Sequence, residues 1–135
     1  MGLFSFMKKN SDNVVFITES ELKCNYKRLV DFVPVFVNEL QNLGITSEKE
    51  LKLEYFFYTN TKEKAERLAN EIMKLNYSVK FGISAGDNKQ YIITGWSSKI
   101  KISKDILAAW ATEMCDLGYK YDCDFDGWGT DPSDL

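Results

Sequence analysis

Apolar residues recur along this chain with two periods, and the alternation of those periods predicts its elements. Val14–Ile17 is a short β-branched run that reads as a strand, and the polar stretch 18–28 carries no clear period. Val33, Phe36, Val37 and Leu40 recur at helical spacing. With Pro34 suited to a first turn and Gly44 to a stop, they predict a helix over 34–43. Leu51, Leu53, Tyr55 and Phe57 alternate with Lys52, Glu54, Phe56 and Tyr58, which predicts a strand. Asn60 followed by Glu63 resembles a capping box, and Ala65, Leu68, Ala69 and Ile72 form the stripe of the next helix.

The period returns to two at Tyr77, Val79, Phe81 and Ile83, which with Gln90–Trp96 makes a hairpin around the turn residues Gly86-Asp87-Asn88. Ser103 caps a helix with the stripe Ile106, Leu107, Trp110, Ala111, Met114 and Leu117, stopped by Gly118. Tyr119–Phe125 reads as a last strand, with Tyr119, Tyr121, Cys123 and Phe125 inward. From residue 51 the order is strand, helix, strand, strand, helix, strand. Two such strand–helix–strand halves predict an α+β fold, a ferredoxin-like βαββαβ sandwich over 49–135. Residues 1–48 form an N-terminal extension containing a helix that covers the domain. On the open face of the sheet this parity places Asp122, Asp124, Asp126 and Trp128 beside Phe56 and Tyr58.

Composition narrows the chemistry. The chain has 135 residues, 44% hydrophobic and 14% aromatic, so it is one folded domain rather than a disordered segment. It has no histidine, which removes histidine-based catalysis and histidine-ligated metal sites. Cys24, Cys115 and Cys123 form no CxxC pair and suggest neither a disulfide framework nor zinc; they read as reduced cytoplasmic thiols. No apolar run approaches the roughly 20 residues of a membrane helix. The start, MGLFSFMKKN, fits neither a signal peptide nor a myristoylation site.

The net charge of −3 is concentrated: residues 1–115 carry 16 basic and 14 acidic groups, whereas residues 116–135 hold Lys120 against six aspartates. An acidic end of this kind suits a cationic partner.

Three chemical readings compete at that acidic end. Asp122-Cys-Asp124-Phe-Asp126-Gly127 opens like a calcium loop, but position eight is Gly129 and position twelve is Ser133 instead of the bidentate glutamate. Three aspartates on one strand face share one environment, which argues against paired acid and base roles, so neither an enzyme nor a cofactor is expected. The strand order also raises single-stranded RNA binding, with Phe57 and Tyr91 as stacking rings. The segment around Tyr91 lacks the basic–glycine–aromatic signature, and three outward aspartates on the sheet would repel phosphate. A contact surface for a protein is the remaining reading: Asp122, Asp124 and Asp126 would steer a cationic partner, and Trp128, between Gly127 and Gly129, would anchor it.

Leu53-Glu-Tyr-Phe-Phe-Tyr-Thr59, Ala65-Glu-x-Leu-Ala69 and the ending Asp126-Gly-Trp-Gly-Thr130 resemble the regulator of ribonuclease E activity B family over residues 50–131. The resemblance implies a ferredoxin-like domain. It also implies a bacterial cytoplasmic, non-enzymatic protein that binds an endoribonuclease and inhibits its cleavage of RNA. A toxin-neutralising immunity-type protein and a single-stranded RNA-binding module are the alternatives.

Overall fold

A computed structural model describes residues 14–84 and 90–131 of the chain. Three helices and four strands follow the order α1 (Glu19–Asn42), β1 (Glu50–Thr59), α2 (Lys62–Met73), β2 (Lys80–Ile83), β3 (Tyr91–Lys101), α3 (Lys104–Lys120) and β4 (Asp124–Gly129). The strands form one antiparallel sheet in the order β2-β3-β1-β4. This is the expected α+β, ferredoxin-like arrangement.

The period-two residues of β1 divide as predicted. Leu53, Tyr55 and Phe57 are fully buried against the helices, with Ile93 opposite Phe57. Thr61 and Ser103 cap α2 and α3, each hydroxyl accepting from the backbone N–H three residues on. The N-cap of α2 is therefore Thr61, one residue after Asn60. The apolar stripes of α2 and α3 seal the same sheet face, with Ile106 left exposed.

The largest departure is α1. It runs 24 residues, absorbing the unassigned segment 18–28 and placing Pro34 in its interior. A reciprocal cap starts it: Thr18 Oγ1 accepts from Glu21 N–H while the Glu21 carboxylate accepts from Thr18 N–H. Proline removes the bond that Val30 C=O would receive, a defect worth about 3 kcal/mol in a helix interior. Both Pro34 and Val30 are exposed, so the defect lies on the solvent side of the helix. Leu22, Leu29, Val33, Phe36, Val37 and Leu40 bury the other side and hold the helix together. Val14–Ile17 forms bends, not a strand. The helix packs on α3 and the edge strand β4. It therefore extends the helical layer and leaves the opposite sheet face uncovered by the described residues.

The last strand also differs. α3 continues through Gly118 to Lys120, and Tyr121 caps it. A Cβ at Gly118 would lie 2.6 Å from Cys123 C=O and 2.8 Å from the Phe57 ring, so the glycine serves this close return of the chain. Asp122 takes a left-handed φ of 59°, and β4 begins only at Asp124. Tyr119 is thus an exposed helical residue. The turn expected at 86–88 and the frayed start at 1–13 lie outside the described residues.

Candidate functional site

The acidic end does not form the single face that period-two parity predicts. Register along β1 shifts between its pairs with Phe125 and Gly127, leaving Asp126 in a bulge. Gly127 takes a φ of +143°, a conformation that favours glycine. The bulge turns Trp128 to the side of Phe125, and Asp122, before the strand begins, follows the turn instead.

Each expected residue consequently has its own surroundings. The Asp122 carboxylate accepts from the backbone N–H groups of Phe16 and Ile17 at 2.9–3.0 Å. It pairs with Lys64 Nζ at 2.6 Å, and that ammonium also donates to Val14 C=O and to Asn60 Oδ1. Lys64 is only 6% exposed, so Asp122 supplies the charge that a buried ammonium needs. Asp124 is half-buried and accepts from Asn25 Nδ2 at 2.6 Å. Burial holds its carboxyl above the usual range, with the negative Asp126 adding to the shift. Asp126 is exposed; its backbone carbonyl accepts from Arg28 at 3.1 Å, and its carboxylate has no partner among the described residues.

Trp128 is buried, at 7% exposure, contrary to its expected place on an open face. Edge-on contacts with Phe32, Phe36 and Trp110 at 5.3–5.7 Å and a stacked Phe125 enclose the indole. Among the described residues its Nε1 has no hydrogen-bond partner, so the indole is held by packing. Phe56 and Tyr58 do stand on the open face, half-buried.

Asp126, Phe56 and Trp128 nevertheless meet at one place. A groove of about 480 Å³ runs between α1 and the β4 edge, lined by Arg28, Asp31, Phe32, Phe56, Asp126 and Trp128 among others. α1 contributes Arg28, Asp31 and Phe32 at helical spacing. Sequence reasoning missed these three because Arg28 lies in the unassigned segment 18–28, and Asp31 and Phe32 precede Pro34, where the predicted helix begins. A shorter groove of about 280 Å³ continues past the Phe32–Trp128 contact toward Leu43 and Thr130.

Other chemistry gains no support. Cys115 and Cys123 are buried, and burial pushes both thiols up to about 12. Tyr26 is also raised to about 12 because its hydroxyl donates to Asp116. Among the described residues no group of three or more acidic or cysteine side chains is placed to hold a metal ion, and no helix is long and apolar enough to cross a membrane. Phe57 and Tyr91, the rings expected to stack bases, lie on the helix-facing side of the sheet.

The regulator of ribonuclease activity B family matches residues 35–130, from the middle of α1 to the end of β4. The chain belongs to that family. No match to a curated protein is found. Family membership implies regulation of ribonuclease activity, in a family of regulators rather than enzymes, and hence a protein partner.

Proposed function

We propose that this chain is a non-enzymatic bacterial, cytoplasmic protein that binds an endoribonuclease and restrains its cleavage of RNA, using the groove between α1 and β4. The observation that carries the reading is the family match together with the groove's make-up. Phe32 and Phe56 offer apolar surface and Trp128 forms a rigid floor; at the rim Asp31 is paired with Lys27 at 2.8 Å and Arg28 is turned to the β4 carbonyls, which leaves Asp126 as the exposed carboxylate without a partner among the described residues. This composition suits a cationic segment with an apolar anchor: the rim charges speed encounter, and the ring contacts slow dissociation. Asp124 and Asp122 support the frame from behind, the first tied to α1 and the second to the segment before it.

Titration calorimetry and a cleavage assay with purified ribonuclease E test the proposal. The full chain is expected to bind the enzyme and slow RNA cleavage. Asp126→Lys is expected to weaken binding about tenfold at low salt and less at high salt, since exposed charges are screened within about 8–10 Å at physiological ionic strength. Absence of binding by the parent chain, or an Asp126→Lys affinity equal to the parent's at both salt concentrations, would reject it.

A further inference from the structure

The two edges of the sheet differ. β4 packs against α1, whereas β2, at the other edge, pairs with β3 alone. Ser78 N–H donates to Trp96 C=O at 3.0 Å and Ser84 N–H donates to Gln90 C=O at 2.9 Å, which fixes the phase of the ladder. The even-numbered residues from 78 to 84 therefore turn their backbone groups to β3. Val79, Phe81 and Ile83 turn theirs outward, where no described strand meets them. Such a row of N–H and C=O groups is a template for another strand.

The side chains at this edge are apolar. Phe81 and Ile83 lie opposite Ile93 and Tyr91, on the helix side of the sheet, yet they are 37% and 60% exposed. α2 packs on β2, and Met73 in the last turn of α2 and Leu75 just beyond it are exposed as well. No carboxylate follows Glu71 until after Ser84, and Lys80 is the one charged residue of β2. Lys80 is exposed and has no ion pair among the described residues.

We propose that β2 pairs antiparallel with β2 of a second copy of this chain, about a two-fold axis at Phe81, to make an eight-stranded sheet. In that register Phe81 meets Phe81 of the second copy and Val79 meets Ile83, all at outward-bonding positions, so each of these residues gains backbone partners. Lys80 meets Gly82. A Cβ at Gly82 would find nothing within 4 Å, so the glycine leaves room for the lysine stem of the other copy. A lysine guards an edge when pairing sets it against another cation, and the register centred on Phe81 avoids that opposition. The strand thus complements itself at every position. A cationic segment of the kind that suits the groove finds no carboxylate along this edge. Because β2 and β4 are opposite edges, the dimer leaves both grooves accessible, and the inference does not rest on ribonuclease binding.

Sedimentation velocity of the purified full chain over about 5–500 µM tests the proposal. A reducing buffer excludes disulfide linkage through the exposed Cys24. A short strand makes a small interface, so a reversible monomer–dimer equilibrium with a Kd of about 10–100 µM is expected. Phe81→Glu opposes two carboxylates at the axis and is expected to weaken association about tenfold. Gly82→Glu sets a carboxylate opposite Lys80 twice per dimer and is expected to tighten it about threefold to tenfold. Gly82→Lys opposes like charges at the same two places and is expected to weaken it by about the same factor. Gly82 does not take a left-handed φ and has open space around it, so both replacements are compatible with the fold. A chain that stays monomeric up to about 500 µM would overturn the proposal. So would self-association unchanged by Phe81→Glu, or shifted in the same direction, or not at all, by the two Gly82 variants, since the contact would then lie elsewhere.

Discussion

Asp122 and Asp126 lie four residues apart in a run that reads as one alternating strand, and they end in opposite circumstances. Asp122 is ringed by donors: two backbone N–H groups and the Lys64 ammonium. Asp126 is exposed, and its carboxylate has no partner among the described residues. Removing the first carboxylate leaves a buried ammonium unpaired, whereas removing the second leaves nothing exposed to a new penalty. Asp122→Ala is therefore expected to cost about 3–5 kcal/mol in urea unfolding, and Asp126→Ala less than about 0.5 kcal/mol. A loss below about 1 kcal/mol at Asp122 would show that Lys64 finds another partner or water. The sequence could not separate these two residues, because spacing alone carries no information about the bulge at Asp126 or the left-handed turn at Asp122. Trp128 went the same way: its flanking glycines signalled an unusual backbone, but the side to which the indole turns is set by the bulge.

At the scale of elements, the helices and strands with strong periodicity were legible, down to the buried faces of β1, α2 and most of α3. What failed were the junctions. Pro34 has the local preference of a helix start, yet tertiary packing overrides that preference and places it in the interior of α1. Seven residues of α1 from Leu22 to Leu40 are buried along one side, and their burial outweighs a single lost hydrogen bond. Leu22 and Leu29 carry that stripe through the polar segment too sparsely to show a period by eye. Since Pro34 itself is exposed, its replacement should cost no packing. Pro34→Ala is expected to restore the Val30 carbonyl's bond and to raise stability by about 1–2 kcal/mol, the helix gain being offset in part by the more flexible unfolded chain. The measurement is the urea midpoint at constant slope; a lower midpoint would mean that the proline ring contributes a contact of its own.

Over the whole molecule, α1 does for β4 what β4 cannot do for itself. An edge strand presents unpaired backbone groups that invite other chains. Here Arg28 occupies two of them, the carbonyls of Phe125 and Asp126, and Asn25 ties down Asp124. Phe32 closes the ring of aromatics about Trp128. All three residues precede position 35, where the family match begins, so the matched part alone contains the four strands but not the protection of their edge. Cutting the chain before residue 35 would also remove Leu22, Leu29 and Val33 from the core, at roughly 1.5–3 kcal/mol each. The loss is comparable with the 5–15 kcal/mol that stabilises a typical domain. A chain starting at residue 35 is therefore expected to unfold non-cooperatively in urea and to elute from size exclusion as aggregate at micromolar concentration. If it instead remained monomeric with a cooperative transition, the first half of α1 would be an accessory to the groove rather than part of the fold, and the partner surface could be changed there without cost to stability.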